Sequence, residues 1–296
     1  MRITQDYSIQ SLLSQVNSTR ERISTLQRNL STGKRLNQIS DDPSGVETAM
    51  RYRSLLKYNE QYQKNIKDSS EFLTFTSNAL QNSSDIIATI KELTIQGIDS
   101  SSNDEFDAVA EQLNELVEEF VETANTRFKG RFIFGGSNVS TTPFTLAPDF
   151  SSVSVNPEGV DGELKAELGQ GNIDRYNITG QEAYLESIDV FQTILDVRTA
   201  FMNHDAAALD TLIPDMDNAL DQVLSANTKA GARINRFELL ETQFQGEDIR
   251  LKEFLSGVQD TNEPEAIVNL QIEQTALQTA LQTLAQTVNI SIIDFI

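Results

Sequence analysis

The apolar residues nearest the start of this chain fall on one thin stripe. Ile9, Leu12, Val16, Ile23, Leu26 and Leu30, with Thr19 filling a gap, recur at intervals of 3, 4, 3, 4, 3 and 4 residues. That is the a/d heptad of a coiled-coil seam. Its flanks, including Gln10, Asn17, Arg20, Arg22 and Arg28, are polar. A helix with so narrow an apolar face is marginal alone in water and needs a partner. Gly33 marks its stop. The other end of the chain has a matching stripe. Leu270, Leu277, Leu281, Leu284, Val288, Ile292 and Phe295 are spaced 7, 4, 3, 4, 4 and 3, beside Gln274, Gln278, Gln282, Gln286 and Asn289.

Charge says which partner each stripe prefers. The 296 residues carry 23 Lys+Arg against 44 Asp+Glu, a net −21. Residues 1–67 nevertheless hold 11 basic and 6 acidic side chains, a local +5. Residues 253–296 hold six acids (Glu253, Asp260, Glu263, Glu265, Glu273, Asp294) and no Lys or Arg. Two thin seams of opposite charge are expected to pair with each other. Their outer faces are rich in Asn, Gln, Ser and Thr, which suits contact with further subunits better than monomer solubility. The plainer reading is two amphipathic helices lying on a globular body.

The same composition closes several routes to function. So acidic a chain is poorly suited to neutralising nucleic-acid phosphates or to an anionic membrane surface. With no cysteine, disulfides, thiolate metal sites and thiol catalysis are excluded, and the lone His204 excludes a multi-histidine metal site. No stretch has the ~18 consecutive apolar residues of a membrane-spanning helix. The first residues lack the apolar core of a secretory signal, so if the protein leaves the cell it is expected to use another export route.

Between the seams, Ser40-Asp41-Asp42-Pro43 is an N-cap followed by proline in a first turn, which predicts a helix over 43–96. A second helix, capped by Asn103 or Asp104, carries Val109, Leu113, Leu116, Val117, Phe120, Val121 and Ala124. The composition then changes. Residues 135–180 hold seven of the 14 glycines and three of the six prolines, with short candidate strands at 131–134, 150–155, 163–168 and 176–178. Helix resumes behind a cap at Thr179 or Gly180, breaks at 203–205, and runs over roughly 206–257, where Pro214 should kink it or delay its start. The expected architecture is mainly α with a small β insertion: a long antiparallel helical rod, paired terminal coiled-coil helices and a β-rich outer domain. Its segments are 1–40, 41–134, 135–180, 181–258 and 259–296.

Motifs that would carry catalysis fail on inspection. Gly33-Lys34 has Arg28 where a phosphate loop needs glycine and Arg35 where it needs Ser or Thr. Gly169-Gln-Gly171 lacks the third glycine of a dinucleotide fingerprint and fits a hairpin. Asp215, Asp217 and Asp221, like Glu118, Glu119 and Glu122, form solvated acidic faces rather than a cation loop. His204 sits beside Asp205 in a helix break with no nucleophile elbow, so a surface or capping role is expected. No catalytic, cofactor-binding or metal residue is assigned.

The segment 26–43, LQRNLSTGKRLNQISDDP, resembles the block shared by bacterial flagellins and their axial relatives, and 231–236, GARINR, resembles the matching block near their other end. Three features resemble the hook-associated proteins of the hook–filament junction (FlgL type) more than flagellin. They are Pro43 after Asp41-Asp42, where flagellins usually carry alanine; RFIFGGSN at 131–138 followed by Thr142-Pro143-Phe144; and the ending NISIIDFI at 289–296. The resemblance implies a secreted structural subunit exported by the flagellar apparatus without catalysis or cofactor. In such proteins the terminal helices line an inner tube, order on assembly, and have a C-terminal segment held by a cytoplasmic chaperone before export. The implied partners are copies of the chain in a ring, the other junction protein and flagellin, with no nucleic acid or membrane. The assembly seam would be Ile9, Leu12, Val16, Ile23, Leu26, Leu30, Leu270, Leu277, Leu281, Leu284, Val288 and Ile292. Two alternatives stand beside this: a short flagellin that forms the filament, and an enzyme or ligand-binding protein using residues 135–180.

Overall fold

A computed structural model describes the backbone of residues 2–98 and 102–293; the side chains of residues 2–6, 8 and 287–293 lie outside the description. Six long helices dominate: α1 (Arg2–Thr32), α2 (Pro43–Ile98), α3 (Asn103–Ala124), α4 (Val190–Met202), α5 (Ala206–Gln259) and α6 (Glu263–Ile293). Between α3 and α4 lie three antiparallel strand pairs. These are β1 (Arg127–Phe128) with β2 (Arg131–Phe132), β3 (Phe144–Leu146) with β4 (Val153–Val155), and β5 (Lys165–Gly169) with β6 (Asn172–Arg175). The described chain divides into two compact units, Met1–Tyr58 with Glu247–Ile296, and Asn59–Gly246. Helices α2 and α5 contribute to both.

The helix boundaries follow from local chemistry. Asp42 caps α2, its carboxylate accepting from Gly45 N at 3.0 Å while Pro43 occupies the first turn, where no N–H is needed. Ser102 rather than Asn103 precedes α3, whose first turn carries Asp104 and Glu105 at the positive helix end. α4 closes in a Schellman arrangement: Asp205 N donates to Ala200 O and His204 N to Phe201 O, both at 3.0 Å. That places His204 in the left-handed region (φ 54), where its Nε2 lies 2.9 Å from Asp107 Oδ1. Asp205 then caps α5 through Ala208 N at 3.0 Å, so α5 starts at Ala206 and runs on through Pro214.

The core of the second unit is built where α2, α3, α4 and α5 meet the inserted hairpins. Tyr184 is fully buried, edge-on to Phe120, Phe134 and Phe144, and its hydroxyl lies 2.9 Å from the buried Ser83 Oγ. Burial raises the Tyr184 phenol well above its ordinary value, against the lowering effect of the Ser83 hydrogen bond. Asn125, just past α3, holds β3 by a paired amide contact, donating to Phe144 O at 2.8 Å and accepting from Phe144 N at 3.1 Å. Gly136 (φ 57) is required by a close backbone crossing: a Cβ there would lie 2.6 Å from Gly162 N. The predicted strand at 176–178 does not form; β6 ends at Arg175 because Asn177 turns its amide onto the loop, accepting from Leu164 N and donating to Gly162 O. The chain then enters a single π turn (Gln181–Leu185) through a capping box in which Glu182 N donates to Thr179 Oγ1 and Thr179 N to Glu182 Oε2.

Candidate assembly surface

Within the first unit α1 packs against α6. Val16 and Thr19 are buried, and Ile9, Leu12, Ile23, Leu26 and Leu30 are half-buried. On α6, Ala266 is buried and Leu270, Leu277 and Leu284 are half-buried. Leu281 stands beside this line, 39% exposed, and the half-buried Ala280 occupies the seam position next to it. The α6 seam therefore runs Ala266, Leu270, Glu273, Leu277, Ala280, Leu284, at intervals of 4, 3, 4, 3 and 4. Val288, Ile292 and Phe295 have side chains outside the described residues.

The polar member of that seam has a partner. Arg22 Nε donates to Glu273 Oε1 at 2.8 Å and Arg22 Nη2 to Glu273 Oε2 at 3.1 Å, a two-pronged pair. The hydrogen bond to Glu273 raises the Arg22 guanidinium further above its ordinary value. Arg22 is exposed and Glu273 half-buried at the edge of the seam, so the pair selects register and partner more than it supplies strength.

A backbone clamp fixes the base of the helix pair. Gly33 adopts φ 67 immediately after α1, which turns the chain out of the helix. Arg35 N and Leu36 N then donate to Gln259 O at 2.7 and 3.3 Å, and Thr261 N donates to Gly33 O at 3.0 Å. Arg35 Nη2 adds a bond to Val258 O at 2.9 Å, and Arg53 hydrogen-bonds the Gln259 side chain. Next, Asp41 closes a loop by accepting from Asn37 N at 2.9 Å and Gln38 N at 2.8 Å. The Gln38 and Asn37 hydrogen bonds, with Arg28 nearby, hold the Asp41 carboxyl below its ordinary range.

Segment 26–43 thus encodes one device: the seam's last leucine, the left-handed stop, the clamp, the Asp41 loop and the Asp42 cap. The segment 231–236 has a different task in the second unit. Arg233 hydrogen-bonds Asn177 O, and Arg236 Nη1 lies 2.6 Å from Asp174 Oδ2. Together they tie β6 and its exit to α5. Burial, with Arg175 nearby, lowers the Arg233 guanidinium.

The outside of the helix pair is uncharged over much of α6. Thr275, Thr279 and Thr283 each donate their hydroxyl to the carbonyl four residues back, at 2.9, 3.0 and 3.0 Å. Hydroxyls turned onto their own helix leave methyl groups to face outward. These threonines, with Leu12, Gln15 and Ile272, line an open groove of about 660 Å³. Ile267, Val268 and Ile272 are 55%, 58% and 59% exposed on the same helix. Elsewhere Asp217 pairs with Lys91, and among the described residues no group of three or more His, Cys, Asp or Glu is placed to hold a metal ion. No helix there is long and apolar enough to cross a membrane.

Comparison with known proteins agrees with this geometry. Residues 3–139 match the bacterial flagellin N-terminal helical region. A Salmonella budapest flagellin is 24% identical over 243 residues, 77% of this chain and 47% of that protein; the chain spans about half the length of the first curated relatives it matches. The flagellar filament 30.7 kDa core protein of Treponema maltophilum is 25% identical over 84% of this chain and 82% of its own length. Among solved structures, Bacillus cereus FlgL is 26% identical with a TM-score of 0.60, covering 70% of this chain and 99% of that one. A putative flagellar hook-associated protein from Vibrio parahaemolyticus superposes with a TM-score of 0.68 at 19% identity, over 74% of this chain and 100% of that one. Residues 3–139 thus carry the bacterial flagellin N-terminal helical region, and the chain has the fold of the FlgL hook-associated proteins.

Proposed function

We propose that this protein is a structural subunit of the bacterial flagellum that forms the junction between hook and filament. The observation that carries the reading is the first unit: a clamped helix pair whose exposed α6 face is nearly free of charge, built of Gln and Thr with Ile267, Val268 and Ile272 standing exposed among them. Isolated in water such a face is a liability; buried among neighbouring copies it is an interface. The seam positions from Ile9 to Ile292, with Ala280 in the place expected for Leu281, would hold each subunit's own pair together. The groove beside Ile272 would receive a helix of the next copy in a ring. The remaining partners are the other junction protein, flagellin, and a cytoplasmic chaperone that holds the C-terminal segment before export. The working location is extracellular, in the flagellum, and the role is structural rather than enzymatic. The FlgL relatives, matched over nearly their whole length, support the junction over other axial roles.

The flagellin matches support a second reading, a short flagellin that builds the filament itself. Labelled antibody on isolated flagella separates the two. A single band at the hook–filament boundary is the expected result; staining along the whole filament would overturn the junction role. Leu26→Asp places an unpaired charge in the seam and should abolish assembly while the second unit keeps its circular dichroism. Normal motility with that substitution would refute the seam.

A further inference from the structure

The second unit carries 12 Lys and Arg against 31 Asp and Glu, a balance of −19. In that setting, three of its twelve cations converge on one cavity. It measures about 550 Å³ and lies between α2, the β1–β2 hairpin and β5, with Lys129, Arg131 and Lys165 among its lining. The hairpin turns on Lys129 (φ 50) and Gly130 (φ 80), both left-handed as a two-residue type I′ turn requires, which brings Lys129 and Arg131 to the rim. One wall is aromatic and fixed. Phe72 is buried edge-on to Phe128 (6.0 Å, 86°) and to Tyr176 (5.5 Å, 90°). Asp68 and Glu167 also line it, with Asn65 and Ser69 beside them.

The bonding state of these groups selects a ligand. Lys129 is engaged by Glu71 at 3.0 Å and Asp68 at 3.4 Å, and Lys165 by Glu163 at 2.8 Å. Arg131 meets the Tyr176 hydroxyl at 3.4 Å and no carboxylate among the described residues. Its planar fork is therefore open to an incoming carboxylate. A polyphosphate or polysulfate would face Asp68, Glu167 and the −19 field of the unit. A wholly apolar ligand would leave the Arg131 fork without an acid and cover Asp68 and Glu167, whose remaining acceptor sites need donors beyond Lys129 and the Tyr62 hydroxyl. A sugar bearing one carboxylate satisfies all three: its acid on Arg131, its hydroxyls donating to Asp68 and Glu167, its C–H face on the aromatic wall. The volume lies within the range of small-ligand pockets.

We infer that this cavity binds an acidic saccharide of the uronic-acid type, a property that does not depend on the junction role. Titration calorimetry on the full chain would use glucuronate and galacturonate, with glucose and galactose as neutral counterparts. Saturable binding of the acidic ligands, at least ~10-fold tighter than the neutral ones, is expected. Arg131→Ala should weaken it ~10-fold or more, and Arg131→Lys should restore little, because an ammonium lacks the fork. Arg131 is solvent-exposed, so these variants should keep the wild-type circular dichroism spectrum. No saturable binding by the wild-type chain would overturn the inference. So would unchanged affinity in Arg131→Ala, or equal binding of a sulfated polysaccharide, which would reduce the site to general electrostatics.

Discussion

Gly33→Ala isolates the cost of the turn that separates α1 from the clamp. A Cβ built on Gly33 meets nothing within 4 Å, so no packing penalty enters and the whole effect is conformational. Holding an L-residue at φ 67 costs about 1–2 kcal/mol, and stiffening of the unfolded chain offsets about 0.4–1 kcal/mol of that. The net loss is about 1 kcal/mol. It should appear first where Gly33 acts. The amides of Arg35, Leu36 and Thr261, which donate into the clamp, should exchange with solvent about five-fold faster. Gly33→Asn should be milder, since Asn tolerates the left-handed region. Gly257→Ala supplies the opposite sign in the same unit: Gly257 lies inside α5 with nothing within 4 Å of its built Cβ, and alanine there should stabilise by up to about 1 kcal/mol. Hydrogen exchange read by mass spectrometry or NMR measures all three variants. If the Gly33→Ala and Gly33→Asn chains protect the clamp amides as well as the wild type does, the left-handed stop is not what sets the clamp.

Three further outcomes follow from the second unit. Tyr184→Phe should cost about 1–3 kcal/mol in urea unfolding, because it leaves Ser83 buried without that partner. Adding Ser83→Ala should recover part of the loss, and strictly additive effects would deny the coupling. Burial would raise the Glu182 carboxyl, but hydrogen bonds from Arg175 and Thr179 N, and the Arg175 charge, more than offset it and hold its pKa below the ordinary 4.5. That stability is present above pH ~4.5 and fades as pH falls through the lowered value. Glu182→Gln should therefore lower the melting temperature at pH 7 and flatten its decline below pH 4.5; parallel curves would refute this. Pro214→Ala restores an N–H inside α5 at an exposed position and should stabilise by about 1–3 kcal/mol; a lower melting temperature would show that the proline is used in packing.

Most helix boundaries were legible because they carry their own punctuation. The start of α4 was not, because the helix expected from 179–180 onward is interrupted over 186–189 and α4 begins at Val190 behind an Asp189 cap. Asp42-Pro43, Gly33 and the acidic turn at Asp205 all mark boundaries by local hydrogen bonding, which a sequence displays directly. The α1 stripe was legible for the same reason: its spacing is regular and its members are large. The α6 seam was harder, because two of its positions are Ala280 and Glu273 while a leucine stands next door at 281. Size suggested Leu281, whereas a strict heptad carried forward from Leu270 and Leu277 leads to Glu273 and Ala280. The β insertion was visible only as glycine and proline density. Its strand ends depend on Asn177 and Arg233, residues whose partners are far away in sequence and leave no periodic trace.

The clamp also has a kinetic meaning. Arg22 lies eleven residues before Gly33 and Glu273 twelve after Thr261, so two antiparallel helices leave one fixed point with equal arms. Tethering of this kind gives each helix an effective local concentration of its partner in the millimolar range. A foreign helix competing for the seam must overcome that advantage. In the proposed junction role, neighbouring molecules at ordinary concentrations would therefore be directed to the outer groove, and growth would proceed without strand exchange between subunits.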